Sequence, residues 1–359
     1  MAPYSNRTQI DTSARQVSSK CKSRRGASLV NYGLVVGLIA VVAIASITSI
    51  GDSIDGLFGT VDTELQGVVT EQVASAAAPE PSASAAPTGP LYAFTTQTFD
   101  SCGLRGPNGP TVTQCRNDGQ YSESWTDDDN FFTVNAGIQQ WTVPETATYR
   151  IEARGASQGS SCSSAQLSAD FNLTAGDVIQ ILVGQRSDGV AGNGGTFVAT
   201  SDNTPLIVAG GGGGRCTNNT ARASLSTTAN SGDGSSPGAG GSNGNGGVGG
   251  TGAGAPGGGG FFTNGTMGTY TDQDFGNGFV QGGQGGIPSD SSPSGGFGGG
   301  ASGGDGGHYG GGGGYSGGGG SGNGGSGSGG GGASFSANPI ISSSLSSVND
   351  DGRVVITKQ

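Results

Sequence analysis

The chain has 359 residues, room for about two domains, but 77 are Gly and only 32% are hydrophobic, so much of it cannot close around an ordinary apolar core. The formal charge is −11, and residues 1–26 hold six Lys or Arg against one Asp, which leaves 9 − 25 = −16 on the rest. A surface that acidic argues against nucleic acid as a partner and suits an extracellular setting.

Residues 1–25 are polar, with basic residues gathering towards the end, and no fold is expected there. The next stretch reads RRGASLVNYGLVVGLIAVVAIASITSIGDSIDGLFGTVDTEL, and its residues 29–50 are 22 in a row without a charge. As a helix they would span about 33 Å, one bilayer. Lys20, Lys22, Arg24 and Arg25 flank the run upstream, and Asp52, Asp55 and Asp62 follow it. The basic end is expected in the cytoplasm and everything after Ile50 outside. A conventional signal peptide would have an apolar core of about 7 to 15 residues, too short to match this one.

The basic leader ending in Gly26, the small Ala27 after it and Tyr32 near the start of the apolar helix resemble a type IVb (Flp, Tad-type) prepilin. The resemblance implies a leader over 1–26, cleavage by prepilin peptidase between Gly26 and Ala27, and a transmembrane pilin helix over 27–66. That helix would continue amphipathically through Ile54, Leu57, Phe58, Val61 and Leu65, sit in the lipid bilayer before assembly and then contact other pilin subunits. Where the family carries a glutamate before its tyrosine, this chain has Asn31, which can hydrogen-bond but cannot neutralise an ammonium. The resemblance therefore implies a minor or tip subunit, held in the plasma or inner membrane or in a pilus, with its C-terminal part outside the cytoplasm.

Residues 67–90, with the segment ASAAAPEPSASAAPTGP, read as a semi-stiff linker. Beyond it the texture changes to strands. LYAFTTQTF over 91–99 comes first, then GPNGP turn chemistry, then a polar segment carrying Asp127, Asp128 and Asp129. The acidic triplet lacks the spaced oxygens of a calcium loop and reads as a solvated turn. Apolar or alternating runs at 131–134, 140–143, 148–153, 165–173, 178–184 and 206–209 are separated by turn signals, and GRVVITK at 352–358 supplies a closing strand. Short strands at about ten-residue intervals indicate an antiparallel sandwich. A closing strand at the very end makes the glycine region an insertion.

Removal of the leader would take Cys21 away and leave Cys102, Cys115, Cys162 and Cys216. Four cysteines permit three pairings; spacing favours Cys102 with Cys115 and Cys162 with Cys216, and free buried thiols are the competing reading. No C-x-x-C pair exists and His308 is the single histidine, so neither a metal site nor a cofactor site is expected.

The strings GIQQWTVPETATYRIEARGASQG, AGDVIQILVGQ, LIVAGGGGG, GGGGASF and GRVVITK, in that order over about 92–358, resemble the glycine-rich domain of anaplastic lymphoma kinase and leukocyte tyrosine kinase receptors, and bacterial and phage surface proteins. Residues 237–335 hold 48 Gly among 99, which by composition alone would be a flexible linker. The resemblance implies bundled polyglycine II helices instead, bonded to one another through their backbones. The fold class expected is thus an N-terminal transmembrane pilin helix followed, over 91–359, by an all-β antiparallel sandwich with a polyglycine II insertion at about 237–335.

With one histidine, Ser/His/Asp and Cys/His arrangements are disfavoured, although a Lys-assisted or paired-carboxylate site stays open. GxGxxG fragments near Gly244 arise by chance in so glycine-rich a run, and the sequons at Asn172, Asn218 and Asn264 carry no function. The leading expectation is a non-enzymatic pilin-fused adhesin that attaches to a cell surface or glycan. The alternative is a membrane-held structural or receptor-like module that does not polymerise, and an extracellular hydrolase ranks third. Aromatics interrupting the glycine, Phe261, Phe262, Tyr270, Phe275, Tyr309 and Tyr315, are candidates for recognition; equally, they could pin the bundle to the sandwich.

Overall fold

Alternation of apolar and polar residues builds the first layer. In the computed structural model residues 89–304, 306–323 and 327–359 are described, all within the unit 85–359. Strands are numbered in chain order. One antiparallel sheet runs β1 (Thr96–Phe99), β13 (Arg353–Lys358), β4 (Ala147–Arg154), β6 (Ser164–Leu173), β11 (Ile340–Ser346). In β4, Tyr149, Ile151 and Ala153 turn inwards while Arg150 and Glu152 are half-exposed, the period of two that a pleated strand imposes.

The second sheet runs β10 (Phe335–Ser336), β9 (Pro205–Ala209), β8 (Thr196–Thr200), β7 (Val178–Leu182), β3 (Ile138–Thr142), β2 (Phe132–Asn135). A two-stranded ribbon joins β5 (Ser157–Gln158) to β12 (Asn349–Asp350). Between the sheets lies a core of Phe99, Tyr149, Ile151, Leu167 and Ile356 from one side and Phe132, Trp141, Ile179, Val198 and Ile207 from the other.

The C-terminal strand sits inside its sheet, paired with β1 and β4, so the 143 residues between β9 and β13 cannot simply trail away. They return to the sandwich on the outer face of the second sheet. There Leu182, Phe197, Ala199 and Val208 meet Phe261, Phe279 and Phe297 in a second core. Strand β8 is therefore buried on both faces, with Val198 inward and Phe197 and Ala199 outward. A strand buried twice does not alternate, which is why TFVAT escapes the sequence reading.

The glycine segments are ordered by backbone hydrogen bonds that repeat every third residue. Gly311 and Gly314 donate to Pro256 and Gly259; Gly312 and Tyr315 donate to Gly330 and Ala333; Gly313 donates to Asn193. The antiparallel run Ala255, Gly258, Phe261 donates to Ser321, Gly318, Tyr315 in the same step of three. Three residues per turn, with bonds leaving in three directions, is the geometry of polyglycine II. It requires glycine because the neighbouring chain occupies the Cβ position: a Cβ on Gly311 would lie 2.0 Å from the Gly318 carbonyl oxygen. The bundle also draws in residues 192–195 and 210–214 from the loops of the sandwich, so it is wider than the composition block at 237–335.

The expected fold class needs correction at its N-terminal end. Among the described residues no helix is long and apolar enough to cross a membrane. The one α-helix there is Val112–Arg116, five residues and about 7.5 Å long, a quarter of a bilayer. Among the described residues the structure is sandwich-like sheet with almost no helix. The spanning helix expected over 27–66, with Gly26, Ala27, Asn31 and Tyr32, lies outside the described residues.

Candidate functional site

The outermost part of the bundle is written in a triplet, TNGTMGT over 263–269. At three residues per turn each position of the triplet owns one face. Thr263, Thr266 and Thr269 accept from the N–H groups of Gly246, Gly249 and Gly254 at 2.9, 2.9 and 3.0 Å. Gly265 and Gly268 face inwards, where a Cβ would lie 2.0 Å from the carbonyl oxygens of Gly257 and Gly254. On the middle face, Asn264 accepts from the Gly278 N–H, Met267 is exposed, and Tyr270 stacks on His308 with centroids 4.1 Å apart.

Beside Met267, three more apolar side chains reach water: Val248, Phe262 and Val280. Their segments adjoin, since Phe262 donates to Gly244, Thr266 to Gly247 and Val280 to Phe261 through the backbone. Exposed apolar groups on neighbouring segments mark a candidate contact site. Gln281 follows Val280, and its side-chain amide donates to the Phe262 carbonyl at 3.0 Å. Gln281 also lines a cleft of about 260 Å³ with Asn108, Asn277, Gln284 and, at its floor, Phe297. Gln284 donates to Asn108 at 2.8 Å, which holds two of the amides in place. Side-chain amides both donate and accept, the complement of a hydroxyl-bearing ligand.

The six aromatics singled out from the sequence separate into different roles. Phe261 is fully buried between the bundle and β8, and Tyr315 stacks on Phe335 with centroids 4.4 Å apart. Tyr309 is buried beneath the Arg215 guanidinium, 4.8 Å from its ring centre. Tyr270 is half-buried on His308, and Phe275 is half-buried with its N–H donating to the Asp274 side chain. Phe262 alone of the six is exposed, at 43%. Val248, Met267, Val280 and the amides were not singled out; the threonine triplet is the signal that marks which residues of this layer face outwards.

Cys102 is bonded to Cys115 and Cys162 to Cys216. The first bond ties the strand-end turn after β1 to the helix Val112–Arg116, whose start is closed by a capping box between Thr111 and Gln114. The second ties Cys162, buried in the sandwich, to the loop that enters the bundle. Two such bonds characterise a domain of an oxidising, extracellular kind.

Fold and site together define a disulfide-bonded β domain that carries a glycine bundle on one sheet and presents an apolar, amide-rimmed surface at the bundle's outer layer. No family model matches the chain. Over 100 residues, 24% of this chain, it is 41% identical to the leukocyte tyrosine kinase receptor of the mouse, Mus musculus. The match covers 11% of that receptor, so the chain corresponds to a small part of its length. The glycine-rich resemblance has this partial support. The pilin resemblance has none, and it is set aside together with the spanning helix.

Proposed function

We propose that the glycine-rich domain is an extracellular, non-catalytic, receptor-like binding module that engages a cell-surface or glycan ligand at the outer layer of its bundle. The observation that carries this reading is the exposure of Val248, Phe262, Met267 and Val280 on neighbouring segments, with Val280 next to Gln281 of the amide-lined cleft, on a scaffold whose internal contacts are largely glycine backbone. A polyglycine helix has no side chains with which to discriminate, so recognition falls to the residues that interrupt it. The disulfides and the similarity to part of a receptor agree with an extracellular binding role. Phe262→Ser combined with Val280→Ser is expected to lower binding to immobilised glycans or cells while leaving the melting temperature unchanged. Binding retained by that double variant would refute the assignment.

A further inference from the structure

A second cleft, of about 300 Å³, opens beside the ribbon of β5 and β12 and shares no residue with the amide-lined one. Arg105, Gln158, Arg186, Ser187, Asp188 and Asn349 line it. Arg186 is buried and held by two bonds from Nη1, to the Asn349 side chain at 2.6 Å and to its carbonyl at 3.1 Å. Its buried Nε makes no hydrogen bond but is ion-paired with Asp351 Oδ1 at 3.6 Å. Arg105 is exposed at the same cleft and makes no hydrogen bond or ion pair with any described residue.

Asp351 is a counter-charge behind both arginines, but neither guanidinium has all its donors bonded, and two such forks at one opening suit an anion that can accept from both. The planar fork of Arg matches a carboxylate in particular. The rest of the lining narrows the choice. Gln158, Ser187 and Asn349 offer amides and a hydroxyl, Asp188 can accept from hydroxyl groups, and no aromatic or aliphatic side chain forms a wall. A ligand with one carboxylate and several hydroxyls satisfies all of these groups, whereas an apolar acid satisfies only the arginines.

We propose that this cleft binds the carboxylate of an acidic sugar of the uronate class, with Arg105 and Arg186 on the carboxylate and Asp188, Ser187 and Asn349 on the hydroxyls. The proposal rests on the reading of the domain as a binding module, and it adds a second, chemically distinct site. Arg105 is the residue to test, because Arg186 also holds Asn349 in place and its loss would disturb the fold.

The experiment is calorimetric titration of the full chain with glucuronate and with an oligo-uronate at low salt, beside glucose, acetate and sulfate. Uronate binding that weakens about tenfold in Arg105→Gln, with an unchanged melting curve, is the expected result. A further loss of affinity on adding salt would support the charged contact. Equal affinity of wild type and Arg105→Gln would overturn the proposal, as would acetate and sulfate binding as tightly as uronate. If uronate fails while Phe262→Ser with Val280→Ser still abolishes attachment, the acidic-sugar site falls and the binding module stands; if that attachment is also unaffected, both fall.

Discussion

Phe261 of the bundle stacks on Phe279 with ring centroids 4.8 Å apart and planes 28° from parallel, and Phe197 of β8 lies 5.4 Å beyond Phe279. This run of rings is where glycine backbone, which has no apolar surface of its own to bury, is fastened to the sandwich. Phe261→Ala is expected to cost about 3–5 kcal/mol, the loss typical of a fully buried aromatic. The adjacent Phe262→Ala should cost much less, about 1 kcal/mol, since the residue is already 43% exposed and gives up only edge contacts with Phe261 and Tyr315. Thermal melts of the two variants side by side check the contrast.

The disulfides should contribute unequally. Cys162 and Cys216 close a loop of 54 residues and Cys102 and Cys115 one of 13. By loop entropy these are worth about 4 and about 3 kcal/mol. Cys162→Ser with Cys216→Ser should therefore lower the denaturation midpoint more than Cys102→Ser with Cys115→Ser. Equal losses would show that the long loop is already restrained in the unfolded chain.

Glycine should be irreplaceable inside the bundle and dispensable outside it. A Cβ on Gly194 would lie 1.7 Å from the Phe297 carbonyl oxygen and one on Gly311 2.0 Å from that of Gly318, whereas Gly119 has nothing within 4 Å. A backbone neighbour cannot swing aside as a side chain can. Gly194→Ala and Gly311→Ala are each expected to cost about 3 kcal/mol or more, and Gly119→Ala to be neutral or slightly stabilising. Yields of folded protein and urea midpoints distinguish these outcomes.

Stability should rise as the solution is acidified from neutrality to about pH 5. Burial pushes the Asp351 carboxyl up from 3.8 to about 6; the Ser101 hydroxyl and the charges of Arg105 and Arg154 pull against that, and Asp350 adds to it. The folded state therefore holds this proton more tightly than the unfolded chain, and stability is gained as pH falls through about 6 towards 4. The gain is about 3 kcal/mol at most, of which about 1 kcal/mol falls between pH 7 and 5. Asp170 acts in the opposite sense. Its hydrogen bond from Arg150 lowers its pKa, so that contribution is present near neutrality and lost only in stronger acid. Asp351→Asn should flatten the rise between pH 7 and 5 in a series of melts; a profile unchanged by the substitution would refute the assignment to this carboxyl.

Local alternation was sufficient to read the strands that cover one side of the core. The runs at 148–153 and 165–173 became β4 and β6 because Tyr149, Ile151, Leu167 and Phe171 alternate with polar neighbours, and the pleat gives each sheet face one set. Composition likewise required that residues 237–335 be held, if at all, by backbone rather than by apolar side chains, since Gly has nothing else to offer. Tertiary structure decided the remainder. Strand β8 exists because a second layer covers its outer face, and β11, an edge strand of mostly Ser, exists because β6 offers it a free row of hydrogen bonds. Nothing in the local sequence distinguishes Phe261 from Phe262; adjacent residues on a threefold helix point in different directions, and only the place of the second sheet determines that one is buried and the other meets water. The two clefts are assembled in the same way, from Asn108 with Gln284 and from Arg105 with Arg186 and Asn349, residues far apart in the chain that adjoin only because the C-terminal strand returns to the middle of its sheet and the glycine segments pack closely enough to bring their loops together.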